Sequence, residues 1–304
     1  NVNSSFENRR KYRELLFKTH DLNKFISGVI LFDETIRQST SEGTPFCEFL
    51  NNLGILVGIK VDTGAFPVSS VSNEKITEGL DGLAKRIQEY KKLGAVFTKW
   101  RAIIDIDNKN SIPSDYAIDV NCFNLARYAK IVQDHGLVPI VEPEVLMDGS
   151  HDIQTCYNIT SKTQRSLFDQ LRFHGVDVSG ILLKPNMVIA GKMSSEQASI
   201  DEVASETIKC LKENVPKEVP GIVFLSGGQS NELATQHLNQ MNKSSKTFSW
   251  NLSFSYGRAL QQPALSAWKG QDENIKTSQK ALYQRSTLNS IATSGNYSID
   301  LENI

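Results

Sequence analysis

Seven short runs of apolar, largely β-branched residues alternate along the chain with longer segments in which apolar residues recur at helical spacing. Such runs are typical of parallel strands covered on both faces, and their alternation with helices favours a βα fold. The segment 80–92, for example, has Leu80, Leu83, Ala84 and Ile87 on one helical face. The predicted strands are 28–32, 55–62, 96–101, 137–142, 180–184, 222–226 and 250–255, and the predicted helices include 6–16, 80–92, 119–134, 202–213 and 274–291.

Seven strands are one fewer than a closed (β/α)₈ barrel requires, and a length of 304 residues suits one domain of that kind. The chain opens on the predicted helix 6–16 with no strand before it. We therefore expect an α/β fold, a (β/α)₈ TIM barrel, whose first strand lies upstream of Asn1. Residues 1–304 would form this single domain, with strands two to eight visible and 294–304 starting an irregular C-terminal tail.

The charges and cysteines restrict the partners that this chain can be expected to have. The 33 Lys and Arg residues balance 34 Asp and Glu, which gives no electrostatic reason to expect nucleic acid or an anionic membrane as a partner. No apolar stretch approaches the roughly 18 residues of a membrane span. The four cysteines form no CxxC pair, which favours a reducing, cytoplasmic compartment. Scattered histidines and the lack of a GxGxxG motif predict neither metal nor cofactor.

Three of the predicted strands end with two charged residues at positions i and i+2. Side chains two apart share one face of a strand, and charge within a packed core is costly unless it is paired. At the carboxyl ends of barrel strands the same charges line the active-site mouth. A surface salt bridge explains any one pair, but explains all three less readily. The pairs are Lys60 with Asp62, Lys99 with Arg101, and Glu142 with Glu144.

Lys184 closes a run of apolar residues, so its ammonium group should lie just above the core. Burial lowers the pKa of a lysine, and a second cation such as Lys99 lowers it further. A neutral amine can attack a carbonyl carbon to form a Schiff base. Of Glu142 and Glu144, one can stay ionised while the other moves protons, although both can also simply neutralise the lysines. The alternative for Lys184 is a snorkelling lysine at a strand end.

Two glycine-containing turns follow the last two predicted strands. Tandem glycines let backbone N–H groups approach an anion, and an arginine beside them can hold a phosphate with two hydrogen bonds. The loops after the seventh and eighth strands are the recurrent phosphate site of this architecture. Each turn alone is equally compatible with an ordinary tight turn. The two sequences are Ser226-Gly227-Gly228-Gln229-Ser230 and Ser255-Tyr256-Gly257-Arg258.

Several short motifs, taken in order, resemble those of class I fructose-bisphosphate aldolases of the eukaryotic type. The similarity runs from about residue 6 to residue 297, and the fold of that family is a (β/α)₈ barrel. It implies reversible, metal-independent cleavage of fructose 1,6-bisphosphate into dihydroxyacetone phosphate and glyceraldehyde 3-phosphate through a lysine Schiff base. The motifs are Glu7-Asn8-Arg9-Arg10, Gly58-Ile59-Lys60-Val61-Asp62, Lys99-Trp100-Arg101, Val141-Glu142-Pro143-Glu144, Leu183-Lys184-Pro185-Asn186, Leu225-Ser226-Gly227-Gly228-Gln229-Ser230 and Phe254-Ser255-Tyr256-Gly257-Arg258-Ala259-Leu260.

The resemblance also implies a role for each candidate residue. Lys184 would be the Schiff-base lysine and Glu142 the acid/base. Glu144 would orient Lys184, and Lys99 would stabilise anionic intermediates. Lys60 would contact the C6 phosphate, and the glycine-containing turns would hold the C1 phosphate. The complete substrate- and phosphate-binding set is Lys60, Asp62, Arg101, Ser226, Gly227, Gly228, Ser255, Gly257 and Arg258.

The resemblance further implies a cytoplasmic homotetramer, from a family whose members bind actin and other cytosolic proteins. Two features depart from the family pattern. The family's first-strand Asp, with nearby Ser and Lys residues for the C6 phosphate, would precede Asn1, and Tyr297 does not match the family's C-terminal Tyr. Two alternatives follow: another Schiff-base barrel, transaldolase-like or acting on a single phosphate, and a catalytically impaired scaffold or cytoskeleton-binding protein. Phosphate-binding groups at both ends, Lys60 and Arg258, favour a bisphosphate substrate.

Overall fold

The structure is a computed structural model, and it describes residues 2–69, 72–244 and 248–303. The two ends of the predicted domain, Asn1 and Ile304, lie outside the described residues. Nine strands are present in the described ranges. They are β1 (Gly28–Leu31), β2 (Leu56–Lys60), β3 (Gly64–Pro67), β4 (Lys75–Glu78), β5 (Phe97–Ile104), β6 (Val138–Val145), β7 (Leu182–Leu183), β8 (Gly221–Phe224) and β9 (Asn251–Phe254).

Helices fill the intervals between these strands. Five of the helices begin after a serine or aspartate whose side chain accepts a hydrogen bond from the backbone N–H of the third helical residue, a favourable N-cap. These caps are Ser5, Ser114, Asp152, Ser199 and Ser230. The helices are α1 (Phe6–Phe17), α2 (Asp33–Ile36), α3 (Phe46–Asn52), α4 (Leu83–Lys92), α5 (Asp115–Asp134), α6 (Ile153–Phe173), α7 (Ile200–Asn214), α8 (Asn231–Lys243), α9 (Arg258–Trp268) and α10 (Ile275–Ala292).

Seven strands form one parallel sheet in the order β1-β2-β5-β6-β7-β8-β9, which is the order along the chain once the hairpin β3-β4 is set aside. All the carboxyl ends therefore lie at one edge. The pairing of β5 with β6 aligns Arg101 with Glu142, and that of β2 with β5 aligns Lys60 with Lys99. This alignment brings the charged residues at the strand ends together above one continuous hydrophobic core, which extends from Tyr12 to Tyr297.

All seven predicted strands are present, with shifts at their ends. The segment 180–184 forms only the two-residue strand β7, because Val178–Gly180 makes a 3₁₀ turn and Lys184 leads into Pro185. The hairpin β3-β4 and the 21-residue helix α6 were not predicted. None of the helices in the described ranges has the length and hydropathy that crossing a bilayer demands. The strand expected upstream of Asn1 lies outside the described residues.

The predicted irregular tail from residue 294 has no helix or strand over 294–298, but the prediction is wrong for the last described residues. Residues Ile299–Asn303 form a 3₁₀ helix, and Tyr297 is buried. The Tyr297 hydroxyl donates to Glu302 at 2.7 Å, and Glu302 also binds the buried Arg285 at 2.6 Å. A buried cation on α10 that needs a carboxylate partner explains why this segment docks.

Candidate active site

Lys184 lies at the carboxyl edge of the sheet and is 8% exposed. Its backbone N–H donates to the carbonyl oxygen of Val141 at 2.8 Å, which continues the pairing of β7 with β6. The neighbouring β6 supplies Glu142, whose Oε1 is 3.1 Å from Lys184 Nζ. The side chain is therefore held inward and does not snorkel into solvent.

Glu142 bridges two lysines at the centre of this edge. Its Oε2 is 3.0 Å from Nζ of Lys99 on β5, and all three side chains are buried. Burial disfavours the charged form of Glu142, but Lys184 and Lys99 outweigh that effect and hold the pKa of the carboxyl below its ordinary value. Glu142 is thus a carboxylate in the resting site.

The pKa of Lys184 is lowered from its usual value. Burial is the main cause, and the charge of Lys99 adds to it, whereas Glu142 acts in the opposite direction. The net result is an amine that gives up its proton more readily than a surface lysine does. This is the electrostatic condition for a nucleophilic amine.

Asp62 anchors the other side of this group. Its Oδ1 is 2.5 Å from Lys60 Nζ, and its Oδ2 is 3.9 Å from Lys99 Nζ. The Oδ2 atom also accepts a hydrogen bond from the backbone N–H of Arg101 at 3.2 Å. Lys60, Asp62, Lys99, Glu142 and Lys184 therefore form one row of alternating charge along the tops of four neighbouring strands.

Glu144 binds a different partner from the one that the resemblance implies. Its Oε2 accepts a hydrogen bond from Nε of Arg101, and the carboxylate outweighs burial to raise the pKa of that guanidinium. The contact with Lys184 belongs to Glu142 instead. Glu144 reaches Lys184 only through its longer-range charge, which raises the lysine pKa less than Glu142 does.

A cavity of about 380 Å³ opens beside this row, between the ends of β1 and β9. Lys60, Lys99 and Lys184 line one side, and Ser255 and Gly257 line the other. A cavity of this size with three converging amines suits a small anionic ligand. The 13-residue helix α8 and the turn before it lie outside this lining.

The glycine-containing turn after β8 is tied to the lysine site by backbone contacts. The N–H of Leu225 donates to the carbonyl oxygen of Pro185 at 3.2 Å, directly after Lys184. The Ser255 N–H donates to Phe224 at 2.8 Å, which links the turns after β8 and β9. Gly227 and Gly228 have φ of +59° and +83°, a conformation that glycine adopts without strain.

Arg258 begins α9 directly after Gly257, so its cation adds to the positive end of that helix. It is exposed and reaches the turn after β8: a Cβ added to Gly228 would lie 3.3 Å from Arg258 Nη2. Lys60, Asp62 and Arg101 of the predicted binding set lie instead in or beside the charged row. The members that lie in the two linked turns are Ser226, Gly227, Gly228, Ser255, Gly257 and Arg258. In the described part of the chain, no cluster of three or more His, Cys, Asp or Glu side chains has the arrangement of a metal site.

Sequence reasoning did not find Lys192, which also reaches this turn. Its Nζ is 3.0 Å from the position that a Cβ on Gly228 would occupy. It is paired with Asp148, which likewise carries no sequence signal, at 3.0 Å. Lys192 follows no apolar run and belongs to no charged pair, so only the folded chain brings it to the turn.

A parallel α/β sheet with a buried, weakly basic lysine beside a cationic glycine turn is typical of barrel enzymes that act on phosphorylated carbonyl compounds. The chain belongs to the class I fructose-bisphosphate aldolase family, since the family model described as fructose-bisphosphate aldolase class-I matches residues 1–303. The predicted family, the α/β TIM-barrel fold and the lyase activity of glycolysis are thereby confirmed.

Individual relatives agree with this assignment over almost the whole chain. The chain is 54% identical over 292 residues to the probable fructose-bisphosphate aldolase class 1 of Xanthomonas axonopodis pv. citri, covering 96% of this chain and 86% of that protein. It is 49% identical over 300 residues to fructose-bisphosphate aldolase 6, cytosolic, of Arabidopsis thaliana, covering 99% and 83%. The solved aldolase of Plasmodium falciparum, in complex with TRAP and a small molecule inhibitor, superimposes with a TM-score of 0.94 at 46% identity, covering 97% and 84%.

Proposed function

We propose that Lys184 is the nucleophile of the aldol reaction and forms a Schiff base with C2 of fructose 1,6-bisphosphate, or of dihydroxyacetone phosphate in the reverse direction. The observation that carries this proposal is the buried chain of contacts from Lys184 to Glu142 to Lys99, at 3.1 and 3.0 Å. It supplies a lysine of lowered pKa together with an ionised base beside it.

Glu142 is the proton carrier in this proposal. As a carboxylate it accepts the proton that Lys184 must lose before its lone pair attacks C2. After the attack, the nitrogen gives up a second proton to the former ketone oxygen, which becomes the carbinolamine hydroxyl. Protonated Glu142 then returns the first proton to that hydroxyl, which leaves as water and gives the iminium ion. It then accepts the proton of the C4 hydroxyl while the C3–C4 bond breaks and its electron pair moves into the iminium. Glyceraldehyde 3-phosphate departs and leaves an enamine on Lys184.

Protonation of the enamine at C3 and hydrolysis of the resulting iminium release dihydroxyacetone phosphate and restore the free amine. Lys99 stabilises the negative charge that develops on oxygen during carbinolamine formation. Its ammonium group is close to the reacting amine, because both Lys99 and Lys184 contact the carboxylate of Glu142. Asp62 keeps Lys99 and Lys60 in place through its two oxygens. Glu144 serves by positioning Arg101 for substrate binding.

The two phosphates define the two ends of the site. We assign the C1 phosphate to the linked turns of Ser226, Gly227 and Gly228 and of Ser255, Gly257 and Arg258, because backbone N–H groups and a cation converge there. The contact of Leu225 with Pro185 supports this choice, since it puts that turn next to the lysine that attacks C2. Lys60, on the far side of Lys99, would take the C6 phosphate.

Trapping with borohydride tests the proposal. Reduction in the presence of dihydroxyacetone phosphate should attach one three-carbon phosphate adduct to Lys184, located by peptide mass spectrometry. Lys184→Met should abolish both the adduct and cleavage, whereas Lys130→Met, which removes an exposed lysine paired with Asp134, should leave both unchanged. An adduct on another lysine, or none in active enzyme, overturns the proposal.

We also propose that the protein works in the cytoplasm as a homotetramer and can bind cytoskeletal proteins such as actin. The cytosolic naming of an Arabidopsis relative supports the location, and the complex of the Plasmodium aldolase with TRAP supports an additional protein partner. Light scattering after gel filtration tests the first part, and a mass of one subunit would contradict it. Co-sedimentation with actin filaments tests the second, and protein left entirely in the supernatant would contradict it.

A further inference from the structure

Two cations approach the same bare face of Gly228. A Cβ placed on this glycine would lie 3.0 Å from Nζ of Lys192 and 3.3 Å from Nη2 of Arg258. The two come from different parts of the chain, Lys192 from the segment after β7 and Arg258 from the start of α9. A glycine at this position therefore lets both cations approach the turn closely.

The charges at this point are not balanced by the protein itself. Arg258 forms no ion pair within residues 2–69, 72–244 and 248–303, and Lys192 has only Asp148, whose side chain is 66% exposed. Like charges brought close together repel one another unless an anion lies between them. Gly227 and Gly228 also have positive φ, a conformation in which successive backbone N–H groups can bind an anion.

The backbone fixes Lys192 in place. Its segment is hydrogen-bonded to the loop after β6. A Cβ at Gly191 would clash with the carbonyl oxygen of Gly149, so only glycine allows the two segments to approach this closely. Asp148 at 3.0 Å then restrains the ammonium group. The three backbone bonds run from the N–H groups of Gly191, Lys192 and Met193 to the oxygens of His151, Met147 and Gly149, at 2.8, 2.8 and 2.9 Å.

We infer that Lys192 is a phosphate-binding residue of the aldolase site, which faces Arg258 across Gly228 and contacts the phosphate nearest the Schiff base. This inference rests on the proposed function, which assigns that phosphate to the turn after β8. Through this contact, the binding of dihydroxyacetone phosphate depends on its phosphate at C1. Asp148 holds the ammonium group over the turn when the phosphate is absent.

Kinetics in the condensation direction can separate binding of the C1 phosphate by Lys192 from a general loss of activity. In this direction the two triose phosphates bind at opposite ends of the site, so their KM values report on the two ends separately. In Lys192→Met, the KM for dihydroxyacetone phosphate should rise about fivefold, as expected for the loss of a partly exposed charge-assisted contact. The KM for glyceraldehyde 3-phosphate and kcat should stay as in the wild type. Inhibition by inorganic phosphate, competitive with dihydroxyacetone phosphate, should weaken by the same factor.

Lys130→Met is the matched control, since Lys130 is equally exposed, at 41% against 40%, and also pairs with an aspartate. It should change neither KM. An unchanged KM for dihydroxyacetone phosphate in Lys192→Met overturns the inference, as does an equal rise for both trioses. Either result leaves the proposed function intact if borohydride still labels Lys184 in the wild type. Absence of that label contradicts the proposed function separately.

Discussion

At the scale of single residues, the site depends on how charge is shared among three buried side chains. Glu142 faces two lysines, and only one of them can have its ammonium fully neutralised by that carboxylate. Lys99 has a second carboxylate, Asp62, at 3.9 Å, so it is the better stabilised cation. Among the residues that the structure describes, Lys184 has no second carboxylate of this kind, so burial and the charge of Lys99 together lower its pKa.

The role of Lys99 can be tested through the pH dependence of Schiff-base formation. Lys99→Met removes a positive charge near Lys184 and leaves Glu142 to that lysine alone, and both changes favour the ammonium form. The pKa of Lys184 should therefore rise, and the rate of borohydride trapping should reach its plateau at higher pH than in the wild type. A profile that is unchanged or shifted to lower pH would contradict this view of the site.

The sequence alone does not indicate which cation each of the two glutamates of β6 contacts. Both lie in the strand at positions i and i+2 and share a face, so each is equally placed to meet a cation. Which cation each meets depends on the stagger between β5, β6 and β7, a long-range property. The structure joins Glu142 to Lys184 and Glu144 to Arg101, and nothing in the local sequence carries that choice.

At the scale of elements, the turn between β8 and α8 reverses the chain direction, which an extended strand cannot do. Parallel strands end in a row, and the turn then reverses the chain direction beside Lys184, where the N–H of Leu225 donates to Pro185. Gly227 and Gly228 provide the positive φ that this reversal needs, and the Ser230 cap then starts α8. The place of the two glycines in a binding turn could be predicted from the sequence, because they directly follow an apolar run that forms a strand. The place of Lys192 beside that turn could not be predicted, because its segment has no periodic pattern.

Gly228→Ala separates the backbone role of this turn from its binding role. Alanine should cost about 1 kcal/mol of unfolding free energy at a φ of +83° and also crowd Lys192 and Arg258. The matched control is Gly43→Ala, at a φ of +87° with nothing within 4 Å of the added Cβ. Denaturant unfolding should show similar losses for both variants, but only Gly228→Ala should raise the KM for dihydroxyacetone phosphate. Equal KM values would show that the space beside Gly228 is not used for binding.

At the scale of the whole molecule, strand order was the most predictable property. Seven apolar runs became seven parallel strands in chain order, because each run is too apolar to leave either face uncovered. The hairpin β3-β4 was missed because its four-residue strands are only partly buried and carry little pattern. The docked tail was missed because its stabilisation comes from Arg285 on α10. No local sequence pattern connects that arginine with Glu302, its partner in the tail.

The tail should therefore contribute to global stability. Glu302→Gln leaves the buried guanidinium of Arg285 without its carboxylate and should lower the unfolding free energy by about 2 kcal/mol. Glu42→Gln, which breaks an exposed pair with Lys18, serves as the control and should change it little. Thermal and denaturant unfolding of the two variants make this comparison. Equal stability of the two would mean that the 3₁₀ segment does not support the fold.

The reaction proposed for Lys184 depends on a buried, cationic pocket that lowers the pKa of its amine. Competitive acetylation across a pH series, read out peptide by peptide by mass spectrometry, measures the pKa of each lysine in the intact enzyme. Lys130, a partly exposed lysine on α5 that pairs with Asp134, gives the internal reference. The pKa of Lys184 should fall clearly below that of Lys130. A value equal to or above that of Lys130 would show that the pocket does not favour the neutral amine.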